Sequence, residues 1–471
     1  MVRGSLRSRL PGIWYLVSGV LLGGCTVGPD YVRPVTPEPV EYREDFPPGE
    51  SVANTPWWEL FEDSVLVDLI DSALVNNRDA LTSLSKIAEA EAALGIVRAD
   101  LYPRINYGAA ATADITTTDG DELDGDISGG LNATYMLDLW GRIRRSNEAA
   151  VQTLLASEEA YRAVTLTLIA GVAKAYVLLR DLDNRLAISE RTVDARKASL
   201  DVIRARFNAG FLSEVDVNQA EIVLGDAEVS AVTFKRLRGQ TENAISVLLG
   251  VPPMEIPRGR NLEELLKPPE LPTGLPSDLL RRRPDILIAE RTLNAQTARI
   301  GAAEALKFPQ LNLTSNLGAI FTGDFTGFFD IGADLFGPLF NSGENQRRVD
   351  VEVARTEQLV HQYEQTILVA LREVDDALIA VRTYEAEFEA RKRQLVASTS
   401  ASELSWVRFD NGVTSYLEVL DVDRSLFTSQ LKASETLQLK LTSVVQLYQA
   451  LGGGWDVERD SLGIPVGRIV E

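Results

Sequence analysis

Two side chains in this sequence could serve as a soft nucleophile or metal ligand, and each stands alone. Cys25 is the only cysteine and His361 the only histidine among 471 residues. A structural zinc site needs four nitrogen or sulfur ligands, and a histidine-based triad needs a nucleophile beside its base. Neither can be assembled from one of each at this separation. His361 falls in the middle of a long helical pattern, and the abundant acids show no spacing that singles out a catalytic pair. No enzyme activity, resident metal or cofactor is expected. What remains for a lone thiol is covalent modification, so its neighbours decide its use.

Those neighbours form a leader. Arg3, Arg7 and Arg9 precede an apolar run, Ile13 to Leu22, broken only by Ser18 and Gly19. The run is shorter than the roughly 20 residues a bilayer anchor requires, and it has the flanks of a secretory signal. Leu22-Gly23-Gly24-Cys25 resembles the bacterial lipoprotein processing box, in which the cysteine sulfur takes a diacylglyceryl group and cleavage frees its amine for another chain. Two or more chains hold a protein firmly where one holds it marginally. Cys25 is therefore read as a tether behind a signal peptide over 1–24. Thr26, where an aspartate would favour the inner membrane, leans toward the outer membrane.

The formal net charge is −21, more negative still once the leader's arginines are removed. Such a surface repels phosphate backbones, so no nucleic-acid partner is expected. A hydrophobic content of 45% is that of a globular chain. Beyond the leader no apolar run approaches the length of a spanning helix, and none is predicted. Without a second cysteine the mature chain has no disulfide, and packing alone must hold it.

Prolines divide the chain. Eight lie between Pro11 and Pro56 and eight between Pro252 and Pro284, with none from Arg104 to Val251 or from Leu339 to Ile464. Proline costs about 3 kcal/mol inside a helix, so the two empty blocks read as helical. They also echo one another. RFNAGFLSEVDV at Arg206 matches RFDNGVTSYLEV at Arg408, LYPRINY at Leu101 matches KFPQLNL at Lys307, and LDLWG at Leu137 matches ADLFG at Ala333. An internal duplication is the reading.

Within the first block, Tyr161, Val164, Leu168, Val172, Ala175, Leu179, Leu182 and Leu186 recur at steps of three or four. The stripe predicts one helix from Arg142 to Phe207, about 100 Å at about 1.5 Å per residue. Tyr363, Ile367, Leu371, Val374, Leu378, Val381, Tyr384 and Phe388 repeat it in the second block. Gly210 and Gly412 end these helices, and a second helix follows each, giving two long antiparallel hairpins with coiled-coil-like seams.

Ahead of each long helix the period changes to two, the spacing of a strand. Ile105, Tyr107, Ala109, Ala111, Ala113 and Ile115 alternate with Asn106, Thr112 and Asp114. Ile127, Leu131, Ala133, Tyr135, Leu137 and Leu139 alternate with Asp126, Ser128, Asn132, Thr134 and Asp138. Leu311, Leu313, Leu317, Ala319 and Phe321 oppose Asn312, Thr314 and Asn316; Phe329, Ile331, Ala333 and Leu335 oppose Asp330 and Asp334. One face is apolar and uncharged and the other carries acids, amides and hydroxyls, which suits lipid on one side and water on the other. Four strands cannot close a barrel, and open edges in hydrocarbon cost several kcal/mol per unpaired group. Copies must therefore share one; eight strands from two chains and twelve from three both remain open.

The sequence resembles the outer membrane factors of tripartite efflux and secretion systems, in the TolC-like lipoprotein branch of OprM/NodT type. The likeness runs through CTVGPDYVRP at Cys25, WWELFEDSVLVDLI at Trp57, LGIVRADLYPRI at Leu94, LPSDLLRRRPDILIAERTL at Leu275 and ARIGAAEALKFPQLNLT at Ala298. It implies a mixed α/β membrane protein: a homotrimer whose 12-stranded transmembrane β-barrel, four strands per chain, joins a long periplasmic α-helical barrel through a collar. The division expected is an N-terminal segment with first collar helices over 25–100, a barrel hairpin over 101–140 and a helical hairpin over 141–251. A connector and helix over 252–306, a barrel hairpin over 307–340, a helical hairpin over 341–453 and a tail over 454–471 follow.

The resemblance also implies roles. Leu417 would narrow the periplasmic end, Asp421 would form a ring with its symmetry mates, and Arg424 would join an ionic lock. Three carboxylates about 6 Å apart repel by roughly 3 kcal/mol per pair at an effective dielectric of about 20, so arginine, cations or protons must compensate. The turns Gly210, Phe211, Leu212, Ser213 and Gly412, Val413, Thr414, Ser415 would dock a periplasmic adaptor linked to an inner-membrane pump. Locally they are glycine turns, and Asp421 with Arg424 is also the spacing of a solvated pair. Trp57 and Trp58 are expected to pack the collar. The function implied is passive exit of small molecules, whether drugs, toxic compounds or metal ions, through the outer membrane. A duct for protein or polysaccharide, and a pore-free coiled-coil scaffold, are the alternatives.

Overall fold

The computed structural model describes residues 26–35, 57–116, 122–265 and 279–453. Cys25, the signal peptide over 1–24 and the tail over 454–471 lie outside the described residues. A 3-10 turn at Trp57–Phe61 leads into α1 (Ser64–Asn76) and α2 (Arg78–Ala99). Strands β1 (Arg104–Thr116) and β2 (Glu122–Leu137) precede α3 (Arg142–Asn208) and α4 (Glu214–Leu248). A short α5 (Leu279–Arg282) and α6 (Pro284–Ala305) precede β3 (Gln310–Phe321), β4 (Phe325–Phe336), α7 (Glu344–Asp410) and α8 (Tyr416–Ala450). Helices α3 and α7 have 67 residues each, and α4 and α8 have 35 each. The chain divides into two compact units.

The unit formed by the described residues of 1–36, 85–159 and 288–365 contains the sheet. All four strands pair antiparallel in the order β1-β2-β3-β4, so β2 and β3 join the two hairpins into one sheet. The register keeps like beside like. Tyr107, Leu131, Leu317 and Phe329 form one row, and Asn106, Asn132, Asn316 and Asp330 the neighbouring row. In the polar row the Asn132 amide donates to Asn316 at 2.6 Å, and the Asn316 amide donates to the Asp330 carboxylate at 2.9 Å. The apolar face is uncovered: Tyr107 is 90% exposed, Phe325 81% and Ile331 78%.

At the strand ends, Trp140 stacks on Phe308 at 4.6 Å and donates its indole N–H to the Pro309 carbonyl at 2.7 Å. The alternation carried β2 on through Asp138 and Leu139, but the strand stops at Leu137. The Asp138 carboxylate instead accepts the Arg144 backbone N–H at 2.9 Å, serving the open first turn of α3. Segment 26–35 is bound to the same region. Arg145, its side chain 6% exposed, donates to Asp30 at 2.7 Å, to Glu148 at 2.9 Å and to the Gly28 carbonyl at 3.3 Å. Gly28 (φ +91°) lies so close to α6 that an added Cβ would come within 2.3 Å of the Gly301 Cα. Arg33 grips Glu290 of α6 through two nitrogens, at 2.8 and 2.5 Å.

The second unit is helical and knitted by buried polar groups. Trp57, fully buried, stacks on Tyr448 at 5.4 Å, and Trp58 is buried beside it. Asp63, 2% exposed, caps α1: one carboxylate oxygen accepts the Val65 and Leu66 N–H groups at 2.9 and 3.3 Å. The other accepts the Tyr176 hydroxyl and the Arg260 N–H, both at 2.9 Å. Burial pushes the Tyr176 phenol above its ordinary range. Arg283 ties Asp285 and Glu373, at 2.6 and 2.7 Å, to the Ala450 carbonyl. One stretch of α3 is long and apolar enough to span a bilayer, where no such helix was anticipated. With 56% of it buried, and Ile169, Val172, Ala173 and Tyr176 inside, it is a core helix.

Asp63→Ala removes a helix cap and strands two further donors, the Tyr176 hydroxyl and the Arg260 N–H, a loss of about 3 kcal/mol or more. Urea unfolding of the detergent-solubilised protein, followed by circular dichroism, should show it, with Asp63→Asn milder because one acceptor survives.

Candidate functional site

Both hairpin turns are built alike. After α3, Gly210 adopts φ +83°, its N–H donates to Phe207, and the Phe211 N–H reaches back to the Arg206 carbonyl at 2.9 Å. After α7, Gly412 adopts φ +73°, and the Val413 N–H reaches the Arg408 carbonyl at 2.9 Å. This is the left-handed close of a helix that glycine makes without steric cost. Ser213 opens α4 by donating from its N–H and hydroxyl to Asp216 at 2.9 and 2.8 Å. Ser415 opens α8, where Thr414 donates to Glu418. Phe211 (81%) and Val413 (66%) point into solvent, while Leu212 packs on the core beneath.

Leu417, Asp421 and Arg424 share one face of α8, and all three are exposed, Leu417 by 58%. No ion pair joins Asp421 to Arg424 among the described residues. The lock implied by the resemblance is thus not closed within one chain. The opposite face carries Tyr416, Val419, Leu420 and Phe427, buried against Leu200 and Ile203 of α3, Ala220 and Val223 of α4, and Phe409 of α7.

Sequence reasoning missed the acid in that seam. Asp423 follows Tyr416 by seven residues and precedes Phe427 by four, the spacing of the buried stripe. Its carboxylate accepts the Ser402 hydroxyl at 2.6 Å and the Trp406 indole N–H at 3.1 Å, both from α7. Burial pushes the acid above the usual aspartate range, with Ser402, Trp406 and Arg196 pulling it back. Arg196, 7% exposed, lies 4.9 Å over the Phe427 ring and donates to the Val223 carbonyl. A carboxylate breaking an apolar seam was a readable signal. His361 is exposed on α7, 3.4 Å from Glu364. Among the described residues no group of three or more histidine, cysteine, aspartate or glutamate side chains is placed to hold a metal.

The arrangement is one of faces and ends: an uncovered apolar sheet face, a polar row behind it, and paired helical turns. Known proteins resemble this chain in sequence and in fold. A sequence model described as outer membrane efflux protein matches residues 69–251 and 275–453. The solvent efflux pump outer membrane protein SrpC of Pseudomonas putida is 35% identical over 465 residues, covering 94% of this chain and 98% of that protein. The cation efflux system protein CusC of Escherichia coli is 32% identical over 446 residues, covering 92% and 96%. The open state of the Neisseria gonorrhoeae MtrE outer membrane channel superposes with a TM-score of 0.85 at 30% identity, covering 91% of this chain and 98% of that one. With matches of this extent in both sequence and structure, the chain belongs to the outer membrane efflux protein family.

Proposed function

We propose that three copies of this chain form the outer-membrane exit duct of a tripartite efflux system. The observation that carries this is the sheet: its apolar face is exposed along all four strands, and its edges, β1 and β4, are open. Strands of 12 to 16 residues suffice to cross a bilayer at a tilt. Twelve strands from three copies close the ring and satisfy every edge, with the polar row Asn106, Asn132, Asn316 and Asp330 lining water. The long helices of the three copies form an α-helical barrel in the periplasm.

The anchor fits that placement. The Val27 N–H donates to the Trp140 carbonyl at 3.2 Å, three residues past the end of β2. Acyl chains on Cys25, two residues before Val27, enter the leaflet beside the strand ends. Leu417, Asp421 and Arg424 form the periplasmic gate across the three copies. The two turns, at Gly210–Ser213 and Gly412–Ser415, dock a periplasmic adaptor that couples the duct to an inner-membrane pump. The cargo is small molecules; relatives are named for solvent, toluene, antibiotic and cation efflux.

Three measurements check this reading. The purified protein should run as a heat-modifiable oligomer and conduct in planar lipid bilayers; a non-conducting, water-soluble monomer would overturn it. Asp421→Ala combined with Arg424→Ala should raise leak conductance, and an unchanged leak removes the gate assignment. Cys25→Ser should abolish incorporation of labelled palmitate while leaving the conducting oligomer able to form from its strands.

A further inference from the structure

We infer that neighbouring copies join edge to edge in one register, with Asn106 of β1 opposite Asp334 on β4 of the next copy. This register rests on the shared-barrel reading above and specifies the seam that reading leaves open.

Parity and edge length remove most choices. Strands alternate in direction across the sheet, so the outer edge of β4 meets the outer edge of another copy's β1 antiparallel. Arg104 and Asn106 lie in the same rows as Thr134 and Asn132, on the polar face with Asp330 and Asp334, while Tyr107 lies with Phe329 on the apolar face. Even positions must therefore face even ones, or carboxylates turn toward lipid. In the inferred register Phe325–Phe336 pairs along its whole length with β1, from Arg104 opposite Phe336 to Ile115 opposite Phe325. A slide the other way, to Arg104 opposite Phe328, engages only Arg104–Tyr107 and leaves the rest of both edges unpaired in hydrocarbon.

Strand tilt decides among the remaining registers. Along one row of partners, Asn106 leads through Asn132 and Asn316 to Asp330. The next step crosses the seam and lands on Ala110 of the neighbouring copy, so the row climbs four residues over four strands. At about 3.4 Å per residue and about 4.8 Å per strand, that climb tilts the strands by about 35°, whatever the number of copies. Membrane barrels tilt theirs by about 35–45°. A climb of about two residues sets Arg104 opposite Asp334, which favours the charges, but tilts the strands by only about 20°. Arg104 also has a partner already, Asp100 of its own chain. A climb of about six residues tilts them by about 47°, sets the Asn106 amide against Phe336 and leaves Arg104 and Ile105 without partners.

The inferred seam repeats a pairing that the sheet already contains. The Asn316 amide donates to Asp330 across β3 and β4 at 2.9 Å. Asn106 and Asp334 are both exposed on open edges, and the seam brings an amide to a carboxylate there in the same way. On the apolar face Tyr107 meets Ala333, Ala109 meets Ile331 and Ala111 meets Phe329, a bulky side chain against a small one in successive rows.

Disulfide trapping of the full-length protein in its membrane tests the register. Asp334→Cys is combined in turn with Arg104→Cys, Asn106→Cys and Gly108→Cys; an added Cβ at Gly108 meets open space. Cys25 stays, with Asp334→Cys alone as its control. A disulfide needs Cβ atoms about 3.8 Å apart and diagonal neighbours are about 7–8 Å apart, so only the directly opposite pair should join. On non-reducing gels, Asn106→Cys with Asp334→Cys should give about fivefold more linked oligomer than either flanking pair. A second arm needs no cysteine. Asn106→Asp, which sets carboxylate against carboxylate, should lower the temperature at which the oligomer dissociates; adding Asp334→Asn should restore it, whereas adding Asp330→Asn should not. A dominant product from a flanking pair, a conducting oligomer in which no pair links, or a swap that fails to restore overturns the register and leaves the shared barrel standing. A non-conducting monomer removes the shared barrel, and the register with it.

Discussion

Backbone amides and carbonyls cannot be left unpaired in hydrocarbon, and this requirement governs the molecule. A four-stranded sheet with one apolar face uncovered must meet lipid or another protein on that face. Its β1 and β4 edges must then find partners as well, because water is not there to serve them. Strand register makes the demand stronger. The rows Tyr107–Leu131–Leu317–Phe329 and Asn106–Asn132–Asn316–Asp330 run apolar with apolar and polar with polar across four strands, so a slip of one residue would turn asparagines and aspartates outward.

A chain with a single cysteine forms no internal disulfide and has to fix such a sheet by other means. Here buried charge does much of that work. Arg145 draws the segment 26–35 onto the start of α3, and the more exposed Arg33 fastens it to α6. In the helical unit Asp63 and Arg283 each bind backbone groups from segments far apart in sequence. Leaving any of these with one partner missing is costly, which makes them staples and weak points at once.

The two helical hairpins show how one backbone supports different surfaces. Their turns close with the same glycine geometry and nearly the same hydrogen bonds. Where α8 exposes Leu417, Asp421 and Arg424, the corresponding positions of α4 are Val215, Gln219 and Ile222. One helix thus offers charge and the other exposed aliphatic surface, Val215 at 61% and Ile222 at 57%. The buried faces stay apolar in both helices, while the outer faces, free of packing, differ.

Periodicity alone made most elements legible. A stripe at steps of three and four gave α3 almost to the residue and the presence of α7, and alternation placed all four strands, because both periods are imposed by backbone geometry within a single element. What tertiary structure decided was long-range. Pairing of β2 with β3 joins strands some 180 residues apart, as Asn132 and Asn316 do, and no local pattern records which hairpin edges meet. The end of β2 at Leu137 depended on Asp138 turning to serve a helix that had not yet begun. Asp423, half-buried, was readable as an acid in an apolar stripe, but its partners, Ser402 and Trp406 on α7 with Arg196 on α3, were not. Sequence determines what each element can bury; only the packed chain determines against whom.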